Sequence, residues 1–446
     1  MPLLTTLANG SARGFGLGSL VDDSFSFDET LAVPNWNSGT MTERKLTQSD
    51  AAGGQFGRAV TLSYDANYFV GGSAASNNTP SNVGKGYVFL KTGAAPSSTY
   101  VQQAILQHDT PSTDDLFTYD YDTVDINSDG TYFIGGAKTE DPVGAFNGGK
   151  AYIFTRSGTS WSQQATLESS DVQGNDQFGT GVAINGDGTI AAVASTGEDG
   201  GAGDPLSASG AVYIYTRSGS TWSEQAILRA SNAGASDSMG ERIDMDEAGE
   251  YLLVSAQSED GPSDATSNVG CAYVFKRTGS SWAEQAILRP SDPAASAFFG
   301  KGAINSEGNI IVIGSRVDSN NAGAVYVFTR SGSEWTQQAK IASPGGNSTF
   351  FGSAVAINEG NIIVARASRT SSAVNYDGVL YVYQVTDPTD PSSSWTLKKT
   401  FKSSDIADGD NFAYSIEISK DGSVIGAGAI TEGSNGSCYT FEVPFV

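Results

Sequence analysis

A segment of about 60 residues recurs along this chain, and the period limits the fold more tightly than any other feature. The most complete copy starts at Phe178 as FGTGVAINGDGTIAAVAS, passes a loop, and continues as GAVYIYTRSGSTWSEQAIL to Leu228. Its final segment returns as YVQQAIL, WSQQATL, WSEQAIL, WAEQAIL, WTQQAKI and WTLKKTF, ending at 106, 167, 228, 288, 341 and 401. Within a copy, Val182-Ala-Ile-Asn alternates and meets Gly186-Asp-Gly, a hairpin signal in which glycine supplies positive φ. Ile190 to Ala194 is a short apolar run, and Ala211-Val-Tyr-Ile-Tyr is rich in β-branched and aromatic residues. Arg217-Ser-Gly-Ser then turns the chain into Trp222 to Leu228. None of this has helical period. Four antiparallel strands repeated around an axis predict an all-β protein, a β-propeller of four-stranded blades.

The third-strand motif sets the blade number. It occurs seven times: at Tyr87, Tyr152, Tyr213, Tyr273, Tyr326, Tyr381 and Tyr439. The last copy runs out at Val446 without a fourth strand, whereas Thr40 to Leu46, followed by Gln-Ser-Asp50, aligns with Trp161 to Leu167 and its Glu-Ser-Ser-Asp171. Residues 40–46 are therefore expected to complete the seventh blade and close the ring, which removes two unpaired strand edges. The domain reading is an N-terminal arm over 1–39 and a seven-bladed propeller over 40–446. Cys271 and Cys438 fall on third strands three blades apart, too far for a disulfide, and are expected to be free buried thiols.

Bulk properties exclude several functions. The net charge of −24 argues against nucleic acid as a partner. No run approaches the roughly 20 apolar residues of a membrane span, and the first residues do not read as a secretory signal. With His108 as the only histidine, a histidine-rich metal site or a Ser-His-Asp triad lacks raw material. No catalytic residue or cofactor-binding residue is assigned. Loop carboxylates are plentiful, yet no spacing singles out a glycosidase pair.

The repeat resembles the FG-GAP repeats of integrin alpha subunits and many bacterial surface proteins. The matching residues are Phe56-Gly57, Phe178-Gly179, Phe299-Gly300 and Phe351-Gly352, with small residues ending strand two at Gly72, Gly136, Ala194, Ser255, Gly314 and Gly428. The resemblance implies a propeller whose N-terminus supplies the outer strand of the last blade. Four positions depart from it: Asp120-Tyr121 stands for Phe-Gly in blade two, Met239-Gly240 in blade four and Phe412-Ala413 in blade seven, while Arg366 replaces a small residue. Such repeats often carry a calcium loop. Asp125-Ile-Asn127-Ser-Asp129-Gly130 comes nearest, but it lacks a closing carboxylate. An ordinary hairpin turn is preferred there, with Ca²⁺ as the weaker alternative.

The opening SARGFG at 11–16 resembles the N-termini of virion structural proteins of marine bacteriophages. That resemblance implies a virion protein that needs no export signal, with other virion proteins as partners and a host surface glycan or protein as a further one. Two other readings stand beside it: a secreted or cell-surface adhesion module binding glycan or protein, and a polysaccharide-degrading enzyme.

Strand direction alternates within a blade, so loops after strands two and four share one face, called here the loop face. The turns after strands one and three share the other, the turn face. The long loops 138–149, 169–177, 195–210, 255–270 and 403–411 make the loop face acidic by expectation. Arg156, Arg217, Arg277 and Arg330 recur at one turn on the opposite face, with Lys91 nearby, predicting an electrically two-sided ring. These arginines, with Arg13, Phe15 and Trp36 of the arm, are the candidate docking residues. Five recurring tryptophans, 161, 222, 282, 335 and 395, read as packing residues, whereas Trp36 lies outside the repeat and is expected to pin the arm to the ring.

Overall fold

The structure is a computed structural model that describes residues 34–445, apart from 38, 51–53, 74–80, 94–96, 202, 263–265, 360, 371–375 and 388–392. The described residues form seven separate four-stranded antiparallel sheets. Six are sequential in the chain. The seventh joins Phe412–Ile418, Val424–Ala429 and Ser437–Glu442 to an outer strand, Thr42–Leu46. That strand pairs with the third strand in the register Thr42↔Glu442 to Leu46↔Cys438, which is the expected closure. The arm is engaged before residue 40, because Pro34 bridges to Phe445.

Burial follows strand position. Second strands such as Ile190–Ser195 are buried throughout, since both sides of each blade are covered by its neighbours. Fourth strands such as Thr221–Leu228 alternate between exposed and half-buried residues because they face outward. The tryptophans opening these strands pack between blades. Trp161, Trp222 and Trp335 donate to Gln103, Gln164 and Gln285 of the preceding blade at 2.9–3.0 Å. Both cysteines are buried and free.

The Phe-Gly motif is the blade-to-blade joint. The backbone N–H of Phe56, Phe117, Phe178, Met239, Phe299, Phe351 and Phe412 bonds a carbonyl of the preceding blade, at Asn435, Val83, Gly148, Ser209, Val269, Ala322 and Asp377 in turn. Six of these seven residues are phenylalanines, each packing edge-on to the third-strand tyrosine of its own blade at 5.3–5.8 Å. The following residue presses on the end of strand two in the preceding blade. A Cβ on Gly428 would fall on the Gly57 carbonyl oxygen, and one on Gly136 or Gly314 on the oxygen of Gly179 or Gly352. This close approach is why strand two ends in small residues.

Blade two corrects the sequence reading. Its joint is Phe117-Thr118, not Asp120-Tyr121, and Thr118 takes a left-handed φ of 62° where most blades use glycine. Ala413 does the same in blade seven at φ 57°.

On the turn face, the first residue of each strand-one turn folds the hairpin. Asn127 Oδ1 accepts from the Thr131 and Tyr132 N–H groups, and Asn185, Asp246, Asn305 and Asn358 do the same job in their blades. Adjacent turns are then bonded around the axis. Tyr64 N–H donates to Ser128, Ser128 to Gly186, Gly186 to Glu247, and Glu247 to Ser306. Asn305 Nδ2 reaches Glu359, which donates to Lys420, and Lys420 N–H returns to Tyr64.

Candidate functional site

First strands line the axis, and the residue after each joint stands near the loop-face end of an axial channel, five of the seven lining its mouth. In chain order these residues are Arg58, Tyr119, Thr180, Glu241, Lys301, Ser353 and Tyr414. A cavity of 520 Å³ opens there, lined among others by Tyr121, Asp122, Glu241, Lys301, Arg366 and Tyr414. Extra residues in blade two bring Tyr121 across the mouth, where its ring stacks on Tyr414 at 4.0 Å and 16°.

Cations here rest on aromatic rings. Lys301 Nζ lies 3.9 Å from the Tyr121 centroid, Arg58 4.0 Å from Tyr119 and 5.4 Å from Tyr414, and Arg366 5.8 Å from Tyr414. Arg316 sits over Phe298 at 4.8 Å and Arg369 over Tyr376 at 4.2 Å. Burial holds the Lys301 amine and the Arg366 guanidinium below their ordinary pKa values. Arg366 is only 2% exposed, and its Nε donates to the Phe412 carbonyl at 3.0 Å. The Nε atoms of Arg58 and Arg369 are buried with no hydrogen-bond acceptor. Two nearby carboxylates are already engaged, Asp120 by Lys138 at 2.8 Å and Asp122 by Arg242 at 3.3 Å.

The outer loops of the same face differ. There cations meet carboxylates: Arg229–Glu198 at 2.6 Å, Arg289–Glu259 at 2.5 Å, Lys340–Asp318 at 2.9 Å and Lys402–Asp377 at 3.4 Å. Asp50, Asp171, Asp292 and Asp405 each accept from the third-strand tyrosine hydroxyl of the next blade at 2.6–2.9 Å. Much of the acidic loop sequence is thus structural.

Deeper along the axis, towards the turn face, three carboxylates share the channel. Asp125, Asp244 and Glu417 line a smaller cavity of 140 Å³ with Thr61 and Lys420. Burial is the main cause that raises them, to about 7, 6 and 8 respectively. Asp125 and Glu417 are pushed further by the Asp244 charge, and Asp244 by Asp122. Their side chains touch channel space but lie far from bulk solvent. Asp125 accepts from Ile184 N–H at 2.8 Å, and Asp244 accepts from Ile304 N–H at 2.9 Å.

Several sequence expectations change. The two-sided charge pattern is reversed at the axis, with cations at the loop-face mouth and carboxylates toward the turn face. Arg156, Arg217, Arg277 and Arg330 are each engaged within their own blade. Their Nε atoms donate to Gly130, Gly188, Gly249 and Gly308 carbonyls at 2.7–3.0 Å, which ties the two turns of each blade together. Three of them also cover Tyr68, Tyr132 and Tyr251 at 4.3–4.5 Å. Asp125, Asn127 and Asp129 do not converge on a cation, for Asp125 faces the axis while Asn127 and Asp129 bond the Thr131 turn. Trp36 is 2% exposed, donates to the Gly422 carbonyl at 3.0 Å and stacks 6.2 Å from Phe401. It pins the arm as expected and cannot also dock outward. Arg13 and Phe15 lie outside the described residues.

The mouth residues Arg58, Tyr119, Lys301 and Tyr414 were not singled out by sequence reasoning. Their signal was available, because the position after the joint is where the seven repeats disagree most in chemistry.

Residues 161–215, 222–275, 282–328 and 395–441 match the FG-GAP repeat. Each span runs from a fourth strand into the third strand of the next blade, and together they account for blades three, four, five and seven. The Tyr121 segment of blade two and Arg366 of blade six lie outside the matched spans, as does all of blade one. No curated protein matches the chain. Repeat sequence and sheet topology agree: this chain is a seven-bladed β-propeller, four spans of which match the FG-GAP repeat.

Proposed function

We propose that this protein is a non-catalytic attachment module of a virus particle, gripping an anionic group of a host surface glycan or protein at its loop-face mouth. The observation that carries the binding half is the set of cations lining the mouth, Lys301, Arg316 and Arg366, each seated on an aromatic ring. A carboxylate or sulfate entering the cavity would meet these cations, and sugar rings suit the Tyr121–Tyr414 platform.

Orientation supports the same reading. Trp36 bonds Gly422 in a turn-face hairpin and Pro34 bridges to Phe445, so the described part of the arm is fixed on the side opposite the cavity. An arm held by a particle would leave the mouth facing outward. The virion assignment itself rests on the likeness of SARGFG at 11–16 to phage virion N-termini.

Two measurements test the two halves. Arg366→Ala restores a small residue at a position where other blades have one, so its stability should stay within about 1 kcal/mol of the parent. Its affinity for uronate-, sialate- or sulfate-bearing glycans should fall at least about 10-fold, because a desolvated charge partner is lost. Unchanged glycan binding in the folded variant would sink the mouth as the binding site. Mass spectrometry of purified particles tests the other half. Detection in the secretome of uninfected cells, and absence from particles, would assign the ring to a secreted adhesion module instead.

A further inference from the structure

The junction of blades one and two holds a feature that the other junctions lack. His108 and Asp115 lie in the loop that follows Thr99–Leu106, and Glu140 follows Tyr132–Ala137 in the next blade. One ligand atom from each lies within 4.8 Å of the other two. All three side chains are buried, at 2%, 3% and 6% exposure. The imidazole stacks on Tyr152 at 4.5 Å and meets Phe117 edge-on at 5.7 Å, so its plane is fixed. Neither ring nitrogen makes a hydrogen bond, although Nε2 comes within 3.3 Å of Asp115 Oδ2. A buried imidazole without hydrogen bonds is costly, and such a group calls for a partner.

We propose that His108, Asp115 and Glu140 bind a divalent transition metal of the Zn²⁺ class, which staples blade one to blade two. One imidazole nitrogen and two carboxylate oxygens are donors that Zn²⁺ accepts, whereas Ca²⁺ requires six to eight oxygens. The surrounding charge fits a dication. Glu140 and Glu168 share one ammonium, Lys150, at 3.0 and 3.3 Å, and the ion-pair partner of Asp115 is His108 itself. The outer shell is present as well, with the Tyr152 hydroxyl donating to Glu140 and the Ser112 N–H donating to Asp115.

The site is not inherited with the repeat. Where blade one has His108, the corresponding loops have Gln48, Ser169, Ala230, Pro290 and Ser403. At five other junctions the third-strand tyrosine is clasped by Asp50, Asp171, Asn232, Asp292 or Asp405 and Gly345 stands at the sixth, but Thr110 occupies that place here and Glu140 takes over the hydroxyl. Histidine and glutamate therefore converge at this junction alone among the described ones.

Because His108 is the only histidine, the tag-free wild-type chain reports on itself. Imidazole ¹⁵N spectra recorded during a Zn²⁺ titration should show one ring nitrogen moving to a metal-bound shift, complete at one ion per chain. Both nitrogens staying in place with Zn²⁺ in excess would overturn the site. Tyr152→Phe keeps the packing and removes only the hydroxyl that orients Glu140, so Zn²⁺ affinity by calorimetry should drop roughly 10–100-fold. Unchanged affinity in that folded variant would place the ion elsewhere.

Discussion

At the turn-face end of the axis, seven turns of related sequence bond to one another and leave a narrow passage lined by carboxylates. At the loop-face end the corresponding seven residues are Arg58, Tyr119, Thr180, Glu241, Lys301, Ser353 and Tyr414, and the passage widens into a cavity of 520 Å³. The same repeats build both ends. Where neighbouring copies must bond each other, the sequence varies little, because each described turn needs a short polar side chain, Asn, Asp or Ser, to accept from its own backbone. Where they need not, it diversifies, and the departures from the repeat gather at one mouth. Tyr121, Arg366 and Tyr414 come from three blades that violate the pattern in three different ways, yet they line one cavity. Irregularity in a repeat protein is here a locator of the proposed binding surface.

That contrast can be broken in several places. The largest effect is expected from deleting residues 40–46, which strips the seventh blade of its outer strand and releases the latch at Trp36. Both mouths should then be lost in one transition, since the roughly 5–15 kcal/mol of a typical domain cannot absorb an opened ring. Thermal melts followed by circular dichroism check this, and an unchanged midpoint would show that the ring does not depend on its closure.

Next comes a pair of substitutions at one repeat position. Gly428→Ala puts a methyl on the Gly57 carbonyl and should cost roughly 3 kcal/mol, whereas the Arg366→Ala change should be nearly neutral. Equal losses in chemical denaturation would mean that blade six is as regular as the rest.

A smaller effect concerns the turn-face channel. Asp125, Asp244 and Glu417 have folded pKa values raised above the roughly 4 of an unfolded chain. The folded state therefore holds more protons, so their contribution to stability is complete below about pH 4 and is lost as pH rises to about 8. Glu417→Gln, which cannot ionise, should raise stability by roughly 1–2 kcal/mol at pH 8 and much less at pH 5. A gain that is equal at both pH values would exclude Glu417 as the titrating group.

The propeller was readable because a period of about 60 residues, hairpin turns and a missing fourth strand all describe one closed object. The closing strand, the free cysteines and the pinning role of Trp36 followed from that geometry. The joint of blade two was misread because Thr118 does a glycine's work at positive φ, and a neighbouring Asp-Tyr pair fitted the spacing loosely. The repeated arginines were read as surface charge, since nothing in a turn sequence shows that its guanidinium will reach a carbonyl of the companion turn. The mouth and the His108 cluster were hidden for a common reason. Their members come from different blades, and only ring closure brings Tyr121 to Tyr414, or a loop of blade one to Glu140 of blade two.

The closure also decides how the ring carries load. Pro34 pairs with Phe445, so these two residues lie side by side at the same end of the ladder that runs from Thr42↔Glu442 to Leu46↔Cys438. Tension between the ends would open that ladder one rung at a time, as a zipper, after extracting Trp36 from its socket. Tension between the arm and a ligand at the opposite mouth runs along the outer strand, loading all five rungs together in shear. A tether pulled from its bound side is thus held by the stronger geometry.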